Sequence, residues 1–266
     1  MSDWAAYDGI AGRYDQAWGR RFEVVARLVW DRISPARGAS VLDIGTGTGI
    51  VPHALGGRAS DLAIVAACDR STGMIAVARG RVPMLRPVAA DAVSLPFRDS
   101  AFDVATASFV MSHLLDSETG LVEARRVLKP GGVLAMTSWA AGEDEPSKLW
   151  SRILAGAVTA ERVEAAFARV TPSLSRFGDP AGVERSLTRA GFERVTVEAH
   201  PLESRLSVAE FIADRELTTG ARYARHALGV EEWGRLLGRA RDELGRRFGR
   251  ELQFSRGVLI GVGRKA

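Results

Sequence analysis

The sequence predicts a doubly wound, Rossmann-like α/β fold: seven mostly parallel strands with an antiparallel last strand, and a helical cap. Three observations predict it. Short β-type runs alternate with helical patterns over the first 140 residues, long helical stretches then take over, and two late apolar runs complete the strand count.

In chain order, the first five strands read as SVLDIG (40–45), LAIVAACD (62–69), LRPVAAD (85–91), FDVATASF (102–109) and GVLAMTSW (132–139). Between them lie the helical patterns TGMIAVARGR and ETGLVEARRVL. The second is stopped by Lys129-Pro130-Gly131-Gly132, where proline cannot continue a helix and glycine permits the reversal. SRILAGAVTAERVEAAFARV (151–170) is helical, and in DPAGVERSLTRAGF (179–192) an Asp-Pro opens a helix that runs into a glycine stop. FERVTVEA (192–199) alternates in period two as a sixth strand, residues 207–250 are helical again, and RGVLIGVGRK (256–265) is the final strand. The expected organisation is N-terminal lid helices at 1–30, a core at 31–140, a cap insertion at 141–177, a core helix and strand at 178–200, a second helical cap at 201–250 and the closing strand at 251–266.

With 266 residues, 46% of them hydrophobic, the chain is long enough for one large core with an appended cap. It has no apolar run long enough to span a bilayer, and MSDWAAYDGIAGRYDQAW lacks the features of a secretion signal, so the expectation is a cytoplasmic protein with no membrane insertion. Its single cysteine, Cys68, sits in an apolar run and reads as a core residue. The net charge of +4 raises the question of nucleic acid, but residues 201–266 carry 13 basic and 9 acidic side chains and so hold the whole excess. There the signs are interleaved (EEWGRLLGRARDELGRRFGRE), the pattern of a solvated helix face rather than a phosphate track.

VLDIGTGTGI (41–50) ends the first strand, where open α/β sheets bind ligands. Its glycines, Gly45, Gly47 and Gly49, follow Gly-x-Gly-x-Gly. A dinucleotide fingerprint would want a small residue where Ile50 stands, and no Gly-Lys-Ser/Thr follows to make a phosphate loop. Asp43 repels phosphate and suits a ligand bearing an ammonium group. Loop and charge together favour a cation-bearing nucleoside. Asp69 closes the second strand, placed to accept from ribose hydroxyls, and Asp91 follows the third, placed to receive an adenine amino group with Ala92 and Leu95 beside the ring.

VLDIGTGTG, LPF-x-D-x-x-FDV and RVLKPGG, with DPAGVERSLTRAGF further on, resemble the class I S-adenosylmethionine-dependent methyltransferases, in the branch that includes the ubiquinone and menaquinone C-methyltransferases. The resemblance covers residues 8–140 and, more loosely, 178–198. It implies S-adenosyl-L-methionine as cofactor and S-adenosyl-L-homocysteine as product, with Gly45, Thr46 and Gly47 at the methionine part and Asp43 ordering the loop. Asp69 and Arg70 would serve the ribose side, Met74, Asp91 and Ala92 the adenine, and Ser108 the sulfonium side. Tyr14 matches a tyrosine that closes over the cofactor. The 26 residues from Asp43 to Asp69 are a departure, read as a loop extension.

Methyl transfer is an in-line displacement, to which a protein contributes alignment and desolvation. No metal site is suggested. A general base is needed only if the acceptor must lose a proton, and the candidates are His113 after the fourth strand, His200 at the expected end of the sixth, and Tyr14, as base or lid. His53 reads as structural and His226 as a cap residue. Trp139, Trp150, Phe167, Phe177, Phe211, Tyr223 and Trp233 in the cap region, with Trp4, Tyr7 and Trp18, suit an aromatic or prenyl-like small-molecule substrate of specialised metabolism. Competing readings are a nucleic-acid (tRNA) methyltransferase, for which Ser108-Phe109-Val110-Met111 replaces the Asn/Asp-Pro-Pro-Tyr/Phe string, and a cofactor-binding protein with a non-methylating role such as a cyclase. A monomer or homodimer is expected.

Overall fold

The computed structural model describes residues 6–266. Trp4 therefore lies outside the described residues. Seven strands form one sheet in the order β3-β2-β1-β4-β5-β7-β6: β1 Ser40–Ile44, β2 Ile64–Asp69, β3 Arg86–Ala89, β4 Phe102–Ser108, β5 Leu128–Trp139, β6 Phe192–Ser207 and β7 Glu251–Lys265. The first five are parallel, and β7 runs antiparallel between β5 and β6. This is the mostly parallel, doubly wound sheet expected from the alternation of β and helical patterns.

Alternate residues of the central strands feed opposite layers, as the period-two geometry of a strand requires. Val41, Val65 and Ala67 pack in one cluster with Trp30 of α1 (Ala11–Ile33) and Ala78 of α3 (Thr72–Arg81). Leu42, Ala66 and Cys68 face the other way, toward Leu121 of α4 (Ser117–Val127) and Leu187 of α7 (Pro180–Arg189). Cys68 is buried, as expected for a core residue. The turn after α4 also behaves as its sequence dictates: Gly131 has φ +77°, and the strand register re-forms from Val133.

The late strands depart from expectation. β6 and β7 continue past residue 200 and begin before residue 256 respectively, paired without interruption from Pro201–Gly257 to Ser207–Glu251. Pro201 is tolerated because β6 is an edge strand. The extension leaves the sheet as a two-stranded ribbon. A second hydrophobic core assembles on it, with Leu252 and Phe254 of β7 packing on Trp150, Phe211, Trp233 and Leu236. Its helices are α5 (Glu145–Ala155), α8 (Val208–Glu216) and α9 (Thr219–Phe248), the last broken at Gly229, where φ is +76°. The short α2 (Ile50–His53) and α6 (Ala160–Val170) complete the set. Among the described residues no helix is long and apolar enough to cross a membrane.

Candidate active site

The carboxyl ends of β1 to β5 open into a cavity of about 1290 Å³ roofed by α1 and the cap. Its first half is built from backbone. Gly45, Gly47 and Gly49 have φ of +66°, +52° and +78°, which only glycine adopts freely. A Cβ on Gly45 would stand 2.4 Å from a Val110 methyl, and one on Gly49 would stand 3.0 Å from Ala78. At Gly47 nothing lies within 4 Å, so this part of the loop is bare toward the cavity.

Asp69 cross-links two strand-end loops. Its Oδ2 accepts from the Gly47 N–H (2.7 Å) and its Oδ1 from the Ser71 N–H (2.8 Å). Burial nevertheless raises its carboxyl above the ordinary range, a cost that a further donor from a ligand would offset. Asp91 accepts from the Val93 N–H (3.1 Å) and lines the cavity with Ala92, Met74 and Arg70. Leu95 is buried and does not reach the cavity. Thr46 lines it, with its N–H donating to the Cys68 carbonyl (2.9 Å).

Asp43 is placed differently from the charge argument made on sequence. It is 2% exposed and sits beneath the loop, its Oδ1 accepting from Thr106 Oγ (2.6 Å), and it does not line the cavity. Burial pushes its carboxyl up to about 7, with the Thr106 hydroxyl opposing. Of the three strand-end carboxylates, Asp69 and Asp91 face the cavity.

The second half is aromatic. Phe109, the residue after β4, has φ +56°, a left-handed conformation rare for a bulky side chain and typical of strain held at a functional site. Its N–H is secured by the Thr137 carbonyl (3.0 Å). This turns its ring against Trp139 (centroids 4.6 Å apart) and Phe22 (4.9 Å), and Phe22 stacks on Trp18 (5.4 Å). Beside this wall, Tyr14 of α1 is half-buried, with Tyr7 edge-on at 5.9 Å. Burial raises both phenols, so Tyr14 is a poor base at neutral pH.

His113 lines the cavity, edge-on to Tyr7 at 6.0 Å. Its Nδ1 lies 3.1 Å from the Val170 carbonyl, which can only accept, so Nδ1 carries the proton and Nε2 is the acceptor. Burial holds it below the ordinary imidazole range. His200 stands elsewhere. Because β6 continues beyond it, the imidazole is in mid-strand, engaged by Glu198 (3.1 Å) and Arg32 (2.6 Å), and it does not line the cavity.

Sequence reasoning missed Asp8. Its Oδ1 accepts from Ser71 Oγ (3.1 Å), Thr72 Oγ (3.0 Å) and the Gly73 N–H (2.8 Å), clasping the N-terminal segment onto the first turn of α3. The Gly73 N–H above all holds the Asp8 carboxyl below its usual range. A Cβ on Gly73 would meet the Asp8 carbonyl at 2.6 Å, which makes that glycine part of the clasp. The only sequence-level signal was the Ser-Thr-Gly start of the helix. Phe109, Arg215 and Arg256 were also missed as site residues, and nothing in residue type marked them.

The residues present fit an adenosyl sulfonium compound. Ser108 Oγ and Thr48 Oγ are buried at the cavity without a hydrogen-bond partner among the described residues, the bare Gly47 backbone lines it too, and Asp69 ends β2 while Asp91 follows the adjacent β3.

Comparison with known proteins gives the same class. The model of the methyltransferase domain family matches residues 42–136. A demethylmenaquinone methyltransferase of Mycobacterium sp. (strain KMS) is 31% identical over 202 residues, 71% of this chain and 84% of that enzyme. One of Paenarthrobacter aurescens is 36% identical over 142 residues, 50% of this chain and 53% of that enzyme. The match thus spans about half the length of that relative. Among solved structures, a phosphoethanolamine N-methyltransferase of Haemonchus contortus in complex with S-adenosylhomocysteine shares the fold, with a TM-score of 0.60 at 18% identity, covering 97% of this chain and 58% of that one. The chain belongs to the class I S-adenosylmethionine-dependent methyltransferase family, in the branch of the menaquinone and ubiquinone methyltransferases.

Proposed function

We propose that the protein is a cytoplasmic enzyme that transfers the methyl group of S-adenosylmethionine to a hydrophobic, aromatic small molecule in specialised metabolism. One observation carries this reading. A single cavity of about 1290 Å³ has a polar, glycine-lined half and an aromatic half, and it exceeds the roughly 300–1,000 Å³ of an ordinary one-ligand site. It has room for a nucleoside and an acceptor side by side.

When bound, S-adenosylmethionine supplies an electrophilic methyl group on a sulfonium. The protein's own part is placement. Gly45, Gly47, Asp69 and Asp91 hold the adenosyl and methionine portions, Ser108 and Thr48 offer their unpartnered hydroxyls, and Phe109, Trp139 and Phe22 exclude water and align the acceptor's ring. His113, neutral at pH 7, can take a phenolic or carbon-acid proton at Nε2.

The test is calorimetry with S-adenosylmethionine and S-adenosylhomocysteine, followed by detection of newly formed S-adenosylhomocysteine and methylated acceptor with a panel of quinols, phenols and prenylated aromatics. Binding with turnover supports the reading. Absence of heat with an intact fold overturns it, and binding without product from any acceptor would favour a non-methylating role such as cyclisation. Gel retardation with tRNA should show no complex at moderate salt.

A further inference from the structure

Two guanidinium groups face the aromatic half of the cavity. Arg215 of α8 is 7% exposed and lies 4.6 Å over the Phe211 ring. Arg256 of β7 lies 4.1 Å over the Trp139 ring. Among the described residues neither makes a hydrogen bond or an ion pair, and the Nε of Arg215 is fully buried without an acceptor. The carboxylates that attract them are Glu143, Asp144 and Asp214. Each is engaged elsewhere through at least one oxygen: Glu143, which also lines the cavity, accepts from Ser151 Oγ (2.8 Å), Asp144 caps α5 through Oδ1 and the Ser147 N–H (2.8 Å) while its Oδ2 is buried without a partner among the described residues, and Asp214 pairs with Arg21.

Two cations sharing a desolvated wall repel one another, and burial together with Arg215 draws Arg256 down to about 10. Such a pair is costly unless an anion joins it, and a guanidinium's planar fork matches a carboxylate in two parallel hydrogen bonds. The place also selects the ligand. β7 stands three strands from β1, about 14 Å at the usual spacing, and Trp139 joins Arg256 to the Phe109 wall.

We propose that Arg215 and Arg256 form an anion clamp that selects, as methyl acceptor, an aromatic ring bearing a carboxylate. The proposal rests on the acceptor half assigned above and names its substrate class.

The probes are 2-naphthoate and its uncharged counterpart 2-naphthamide, titrated at pH 7.5 by calorimetry with and without S-adenosylhomocysteine. The wild-type protein should bind the acid at least tenfold more tightly than the amide. In the double variant Arg215→Gln/Arg256→Gln the two should bind within twofold of each other, while affinity for the amide and for S-adenosylhomocysteine stays within threefold of wild type. Arg256→Gln alone, at a half-buried site, should remove most of the preference and keeps the test readable if the double variant does not fold; Arg256→Lys should retain part of it.

Equal affinities in the wild type, or no binding of the acid, overturn the clamp and point to internal pairing with Glu143 and Asp144. A preference that survives the double substitution also overturns it. If the arginines instead held the cofactor's own carboxylate, the double variant would lose S-adenosylhomocysteine affinity and show no change in acid preference. A wild type that ignores S-adenosylhomocysteine yet discriminates acid from amide through these arginines would sink the cofactor reading and leave the clamp standing.

Discussion

The two halves of the cavity are built on different principles. The glycine-lined half comes from four consecutive strand ends within residues 43–108, and its polar groups are mostly backbone or are pinned by backbone, as when Asp69 receives the Gly47 and Ser71 N–H groups. The aromatic half draws Phe22 from α1, Phe109 from after β4, Trp139 from β5, Arg215 from α8 and Arg256 from β7. The first half has a fixed shape that the chain cannot vary without breaking the sheet. The second is a meeting of separate segments, each free to change its side chain.

Independent halves should fail independently, and the sharpest break is at Gly45. Gly45→Ala combines a left-handed φ with a collision against Val110, costs of about 1–2 and 1–3 kcal/mol, so S-adenosylhomocysteine affinity should fall about 100-fold in calorimetry while 2-naphthamide binding stays within twofold. Adding Val110→Ala should restore part of the loss. Equal damage to both ligands would mean that the halves are coupled.

Asp69→Ala should weaken S-adenosylhomocysteine by roughly 10- to 100-fold, the range for losing charge-assisted hydrogen bonds. The mirror experiment is Phe109→Ala. It should cost about tenfold in 2-naphthamide affinity, within the range for a lost aromatic contact with its buried area, and leave S-adenosylhomocysteine within twofold.

Asp43 supports the first half from beneath, so its effect should appear in stability. Its carboxyl is held at about 7 against an ordinary 3.8. Between those values the native state keeps a proton that the unfolded chain has released. Its contribution is therefore full below pH 4 and is lost as pH rises through 7, at up to about 1.4 kcal/mol per unit. Asp214, pushed up to about 6 by burial, acts with the same sign in wild type and variant alike. Urea unfolding at pH 5 and pH 8 should show a smaller drop in Asp43→Asn than in wild type; equal drops would mean that Asp43 is ionised throughout. The smallest effect is expected at His200, which faces Glu198 and Arg32 outside the cavity. His200→Ala should leave both ligands within twofold.

What could be read from the sequence follows the same division. Strands, glycine loop and strand-end acids each occupy one contiguous stretch, where local periodicity and turn chemistry speak directly. Ala92 was legible by position after a strand, Met74 and Ser108 only through the family resemblance, and all three line the cavity. Asp43 was placed on the right loop with the wrong outlook, because sequence position does not say which way a strand-end carboxylate turns. Of the aromatic wall, Trp139 and Trp18 were named from sequence, whereas Phe22, Phe109 and the two arginines were illegible for another reason: Arg215 looks like any charge on an amphipathic helix until its burial is known. His200 was misjudged because the strand's true end lay seven residues on, past a proline that an edge strand can carry.

The ribbon formed by β6 and β7 carries one more implication. The same two strands furnish Phe192 and Leu259 to the central core and Leu252 and Phe254 to the cap core. The cap is thus no detachable accessory. A truncation that removes residues 201–250 would cut β6 in half and strip the Glu251–Gly257 end of β7 of its partner, so the cap and the glycine-lined half should melt in one transition, and remodelling of the cap must proceed by exchanging side chains rather than by swapping modules.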